Sequence, residues 1–188
     1  MVEETGVWSE QVDKWTSSTA LSLMAVSAAL TGAGWLLTAP IPLIPGAVQL
    51  RILAFLPAVF GVLFGPRVGF VSGAFGTIIW ALLGGYFNPA TPTLDLIGVG
   101  LWGAIPGYFY TLDDANGTVG LAKVTAVSTV ACLIGLPFSA LGFQLVGIAP
   151  FWAAMTTLIP ADVPAVVIGT PLALSAIGPV LDERNLVP

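Results

Sequence analysis

Residues 124–161 read VTAVSTVACLIGLPFSALGFQLVGIAPFWAAMTTLIPA and contain no charged side chain. A membrane-spanning helix needs roughly 20 mainly apolar residues. This stretch is therefore long enough for two crossings, with Gly147 and Pro150 marking the turn between them. Two further runs, residues 15–50 and 68–94, are equally free of charge. The whole chain of 188 residues agrees, with 56% hydrophobic and only 8% charged residues. An ordinary soluble domain is roughly a quarter charged. Five basic and ten acidic side chains cannot clothe a water-facing surface. A soluble globular domain, a disordered chain and a nucleic-acid binder are thereby excluded, the last because it needs a basic face. The apolar residues come in runs rather than alternating, which favours helices over a closed β-barrel.

Working outward gives an all-α integral membrane domain of six transmembrane helices. They are expected over residues 18–38, 48–64, 67–84, 94–112, 119–146 and 150–181. The Pro-rich stretch at 39–46 forbids helix, and Gly65-Pro66 and Gly84-Gly85 end the second and third helices. Pro137 is expected to break the fifth, and Pro160, Pro164 and Pro171 fall inside the sixth. An even number of spans puts both ends on one side. Lys14, Arg67, Lys123 and Arg184 lie there and Arg51 alone lies opposite, so the positive-inside rule makes both termini cytoplasmic. The chain then reads as a multi-pass protein of the cell (plasma) membrane. Three parts follow: a surface segment at 1–17, the membrane domain at 18–182 and a tail at 183–188. In the first part Trp8, Val12 and Trp15 share one helical face, as in a helix lying on the bilayer. Glu3 and Glu4 stand where a signal peptide would be basic.

The rare residues narrow the chemistry. There is no His, so His triads, His metal sites and His proton relays drop out. Cys132 is alone and set among apolar residues, which leaves no disulfide frame or metal cluster. Gly98-Val99-Gly100 is not followed by a lysine-bearing phosphate loop. No nucleophile stands with an activating base. The reading is that of a protein that is not an enzyme and holds neither metal nor cofactor.

Polar and aromatic residues gather instead toward the outer ends of the helices. Gln49 and Arg51 begin the second helix, Trp80, Tyr86 and Asn88 end the third, and Asp95 and Trp102 lie in the fourth. Gln144 ends the fifth, and Trp152 and Asp162 lie in the sixth. Ionisable groups inside a membrane normally face a cavity or pair with each other. Binding sites are mostly apolar with a few polar groups that fix orientation. Gln49, Arg51, Trp80, Asn88, Asp95, Trp102, Gln144, Trp152 and Asp162 are therefore the candidate binding residues for a small polar or flat solute. Plainer roles stand beside this one. Arg51 can snorkel to headgroups, Trp80, Tyr86 and Trp152 can form an interfacial belt, and Asp95 can cap a helix. Asp162 either meets ligand or pairs with Arg51.

Small residues recur every fourth position, as close helix packing in lipid requires. Ala25, Ala29 and Ala33 form such a face on the first helix, with Ala28 and Gly32 beside it. Gly61, Gly65, Gly69 and Gly73, and then Gly103 and Gly107, repeat the spacing. The glycines read as internal packing. The Ala face reads either as internal packing or as a docking groove for another membrane subunit.

The stretch from Gln49-Leu50-Arg51 through Leu56-Pro57 to Gly61-Val62-Leu63-Phe64-Gly65-Pro66-Arg67-Val68-Gly69-Phe70-Val71-Ser72-Gly73 resembles a known family. It looks like the second and third helices of the substrate-binding S components of energy-coupling factor (ECF) transporters. The length, the six helices and the Ala25/Ala29 face also match. The resemblance implies capture of a vitamin or related micronutrient from outside. It implies a transmembrane coupling subunit and two ATPases as partners, with Ala25 and Ala29 docking on the former, and movement of substrate by toppling of the whole component in the bilayer. It implies a pocket capped by the 39–46 loop and lined by the fourth to sixth helices. The quoted residues match no biotin, thiamine or riboflavin subgroup pattern. The competing reading is a non-transport accessory or scaffold subunit of a larger complex.

Overall fold

The computed structural model describes residues 17–38, 42–44 and 48–183. The surface segment expected before residue 17 and the last five residues lie outside them. The order of elements is α1 (Ser18–Thr38), β1 (Pro42–Ile44), β2 (Val48–Gln49), α2 (Leu56–Phe64), α3 (Pro66–Gly84), α4 (Leu96–Phe109), α5 (Gly117–Leu145) and α6 (Phe151–Glu183). A wide helical turn at Thr91–Asp95 leads into α4, and a tight one at Asp113–Ala115 leads into α5.

Four of these helices, α1, α3, α5 and α6, are long and apolar enough to cross a membrane. The other two are shorter than the sequence suggests. The nine residues of α2 rise about 14 Å and the fourteen of α4 about 21 Å, against a hydrocarbon core about 30 Å thick. The expected helix over 48–64 begins only at Leu56. Val48 and Gln49 pair antiparallel with Pro42–Ile44 instead, and a turn follows in which Arg51 C=O accepts the Ala54 N–H at 3.1 Å. Pro57 then falls in the first turn of α2, where its missing N–H costs nothing. The expected break at Pro137 does not occur, and Pro160, Pro164 and Pro171 do not interrupt α6. α5 and α6 run through them as helix, as spanning helices tolerate when neighbouring groups re-satisfy the freed backbone.

The helices pack as an arc: α1 on α3, α3 on α4, α4 on α5 and α5 on α6, with α2 set against α3 and α4. Glycine explains how close the members come. A Cβ added at Gly61 or Gly69 would overlap the Gly103 carbonyl oxygen, and one at Gly103 or Gly107 would overlap those of Gly69 and Gly61. Gly98 of α4 and Gly135 of α5 meet in the same way. Backbone thus lies against backbone along α2–α4, α3–α4 and α4–α5, as small residues permit in lipid. Gly65, at φ +92 with open space around it, makes the sharp turn from α2 to α3. The main core cluster includes Trp35, Trp80, Trp102, Leu136, Phe143, Leu158 and Val166.

Candidate functional site

Arg51 belongs to the turn between β2 and α2, and Asp162 to the middle of α6, between Pro160 and Pro164. The hairpin carries the guanidinium under the bundle's aromatic cluster rather than outward to headgroups. Arg51 Nε donates to Asp162 Oδ1 at 3.0 Å and Nη2 donates to Oδ2 at 2.5 Å. The planar fork and the carboxylate match bidentately. Arg51 is 4% exposed and Asp162 0%. Charges taken so far from water persist only when paired and hydrogen-bonded.

Three tryptophans from three helices enclose the cation. The Arg51 Cζ lies 4.7 Å from the ring centroid of Trp35 (α1), 5.5 Å from that of Trp80 (α3) and 5.8 Å from that of Trp102 (α4). Each ring presents its negative quadrupole to a desolvated guanidinium. Trp35 packs edge-on to Trp80 at 6.3 Å and tilted to Trp102 at 6.4 Å. Tyr86 packs on Trp80 at 5.2 Å. Trp35 Nε1 donates to the Leu53 carbonyl at 2.8 Å, which ties α1 to the turn that carries Arg51.

A second carboxylate stands nearby. Asp95, buried at the start of α4, makes no side-chain cap bond to its helix. Its Oδ1 accepts the Ser139 hydroxyl of α5 at 2.5 Å. Other polar atoms here have no partner. Both side-chain amide atoms of Gln49 and the indole nitrogens of Trp80 and Trp102 are buried without a hydrogen bond. Gln49 lies on β2, which contacts α6. Buried polar atoms left unpaired are exceptions in native proteins and ask for a partner.

The structure thus brings together Arg51, Trp80, Trp102, Asp95 and Asp162, with Gln49 two residues from Arg51, and adds Trp35 and Ser139. Three candidates lie elsewhere. Asn88 is half-buried and closes its own loop, with Nδ2 donating to the Tyr86 carbonyl at 3.1 Å and Oδ1 accepting the Ala90 N–H at 2.9 Å. Gln144 is exposed, and its Oε1 accepts the Phe151 N–H at 3.0 Å, at the start of α6. Trp152 is 74% exposed beside Phe151, as a belt residue would be. Trp35 was missed although a signal existed. It stands as close to the Pro-rich loop end of α1 as Trp80 does to the outer end of α3. On the same helix Ala25, Ala29 and Ala33 are exposed, while Ala28 and Gly32 are buried. Gly32 lies under Ile79 of α3, and Thr31 and Ser72 share a hydrogen bond of 2.8 Å across that contact.

An apolar helical bundle that buries one arginine and two aspartates among tryptophans fits a membrane protein of the solute-handling class. Residues 15–179 match the family described as ECF-type riboflavin transporter, S component. The chain belongs to that family. No curated protein and no solved structure matches it. Membership makes it a membrane-embedded component that captures substrate for vitamin uptake. The 49–73 stretch shows no riboflavin subgroup pattern, whereas the family model that matches carries that description.

Proposed function

We propose that this chain binds riboflavin at the Arg51 centre and delivers it inward with a coupling subunit and two ATPases. The observation that carries the reading is the cluster of Trp35, Trp80 and Trp102 around Arg51, together with unpartnered polar atoms on Gln49, Trp80 and Trp102. A flat heteroaromatic ring suits aromatic walls. Its carbonyl and N–H edge suits an amide that lacks a partner of its own. Gln49, Trp80, Trp102 and Trp35 are the contacting residues in this reading. Arg51, Asp162 and Asp95 set the centre's charge and shape. Asn88, Gln144 and Trp152 serve the loop, a helix start and the interface.

The chain crosses the membrane six times in this reading, with α2 and α4 as short spans completed by the turns before them, and both termini cytoplasmic. Ala25, Ala29 and Ala33 form the face that docks on the coupling subunit. Their exposure beside a buried Ala28 and Gly32 supports it.

The test is direct. Full-length protein is purified in detergent, its absorption spectrum is recorded, and riboflavin is titrated by quenching of flavin fluorescence. Flavin that co-purifies, or saturable quenching lost in Trp102→Leu, is the expected result. A folded protein that neither carries flavin nor quenches it overturns the reading.

A further inference from the structure

A row of aromatic rings leads out of the Arg51 centre. Between ring centroids, Trp102 of α4 lies 6.4 Å from Trp35 of α1, Trp35 lies 6.3 Å from Trp80 of α3, and Trp80 lies 5.2 Å from Tyr86. Those are contact spacings for aromatic pairs. The three tryptophans are buried, and Tyr86, in the loop that follows α3, is half-buried. Packing on the guanidinium accounts for the tryptophans, all three of which lie against it. Tyr86 stands one ring further out, and the backbone makes room for it there. Gly85 turns the chain at φ +73, and a Cβ on Gly84 would overlap the Tyr86 ring at 2.5 and 2.6 Å.

Indole and phenol rings give up an electron readily, and light makes a flavin a strong one-electron oxidant. An oxidised indole is a cation, which is costly to bury unpaired and is neutralised only by passing on its N–H proton. The indole N–H groups of Trp80 and Trp102 have no hydrogen-bond partner, and that of Trp35 meets the Leu53 carbonyl, which is a poor base. An oxidised phenol instead sheds its proton to water and becomes neutral. Positive charge therefore has no resting place on the tryptophans and has one at Tyr86.

We propose that this protein is also a light-driven electron relay, in which bound riboflavin excited by blue light oxidises Tyr86 through Trp102, Trp35 and Trp80. The proposal rests on the riboflavin reading and adds an activity to it. One electron leaves the Trp102 indole for the excited flavin, which is thereby reduced by one electron. Trp35 re-reduces Trp102, Trp80 re-reduces Trp35, and Tyr86 re-reduces Trp80 while its phenolic proton goes to water. Return of the electron from the flavin to Tyr86, with uptake of a proton, restores both rings. The cycle consumes no other oxidant or reductant, and it discharges the excited state inside the protein.

The experiment flashes purified full-length protein, loaded with riboflavin, with blue light and follows its absorbance in time. The expected trace shows an indole cation band giving way to a tyrosyl radical band, which then decays to the starting spectrum. Tyr86→Phe keeps a ring on Trp80 and should keep riboflavin bound, but lose the tyrosyl band, so that the indole signal decays together with that of the reduced flavin. Gly84→Ala, whose methyl displaces the Tyr86 ring, should lower the tyrosyl yield. Loaded protein that shows no indole cation, or one that never passes to tyrosine, overturns the relay and leaves the function standing. A tyrosyl band that survives in folded Tyr86→Phe comes from Tyr108 or Tyr110 and overturns the route, as does an unchanged yield in Gly84→Ala. Protein that binds no riboflavin in the dark sinks the functional reading and the relay together.

Discussion

Asp162 carries two roles that a single substitution does not separate. Asp162→Ala leaves Arg51 buried among three tryptophans without its counter-ion. Removing one partner of a buried pair costs about 3–5 kcal/mol. We therefore expect Asp162→Ala to lower both thermal stability in detergent and flavin affinity, rather than affinity alone. The double replacement Arg51→Met with Asp162→Leu is the control, since apolar groups of similar volume often restore stability. It should recover most of the melting temperature, followed by the fluorescence of a thiol-reactive dye at buried Cys132, and leave flavin binding impaired. A double variant as unstable as the single one would show that the aromatic walls require the cation itself.

At the same scale, much of the centre was legible and some was not. Arg51 and Asp162 stood out because a charge in an apolar run is costly and needs a partner. Their pairing was one of two alternatives, and the structure shows it. Position along a helix gives depth but not azimuth, so the sequence groups Trp152 and Gln144 with the centre. Asn88 joins them in sequence because loop residues of Asx type close their own turns as readily as they meet ligands. None of the three could be sorted without knowing which face each helix turns inward.

Helices were mostly legible from charge and glycine-proline punctuation. The α1 bounds coincide with the expectation, and α3, α5 and α6 lie within two residues of theirs. The second helix failed at its start, because a two-residue strand leaves no periodic signal and its partner lies across a proline stretch. The fifth departed in the opposite sense within correct bounds, since a proline that reads as a break, Pro137, is tolerated inside a spanning helix. Gly65 gives the cleanest test of an element boundary. Its φ of +92 with ψ of 168 is a region almost reserved for glycine, where other residues cost about 1–3 kcal/mol. Gly65→Ala should destabilise by that amount although nothing crowds the added methyl. Thermal unfolding measured beside Gly85→Ala checks it.

The turn into α5 makes a pH prediction. The backbone N–H and then the hydroxyl of Thr111 donate to Asp114 Oδ2, at 2.8 and 3.0 Å, and hold this exposed carboxyl below its usual value of 3.8. A lowered folded-state value means the contribution is complete above about pH 4 and fades as pH falls through the folded value. Asp114→Asn should flatten the acid limb of a melting-temperature profile between about pH 5 and pH 2. An unchanged limb would show that other carboxylates set it.

Across the whole molecule, the arc leaves α1 and α6 as its two ends, with α2 between them. A groove of about 580 Å³ lies there, lined by Leu23, Leu30, Leu56, Phe60 and Ile177 among others. Ala33 is on its rim while Ala25 and Ala29 lie outside it. Ala25→Trp or Ala29→Trp should abolish co-purification with the coupling subunit and leave the flavin dissociation constant unchanged. If both variants still co-purify, the docking face lies elsewhere, and the groove beside it becomes the next surface to block.

The glycine contacts reach further than packing. Where Gly61, Gly69, Gly103 and Gly107 meet, neither partner owns a side chain that can swing aside. Strain from one added methyl is relieved only by displacing a helix. The displaced helix is α4, which carries Trp102 and follows directly on Asp95, or α3, which carries Trp80, or α2, which follows the turn that carries Arg51. Mutations made at that contact to probe folding will register as defects in solute recognition, and screens for weakened uptake will recover lesions far from any atom the solute touches.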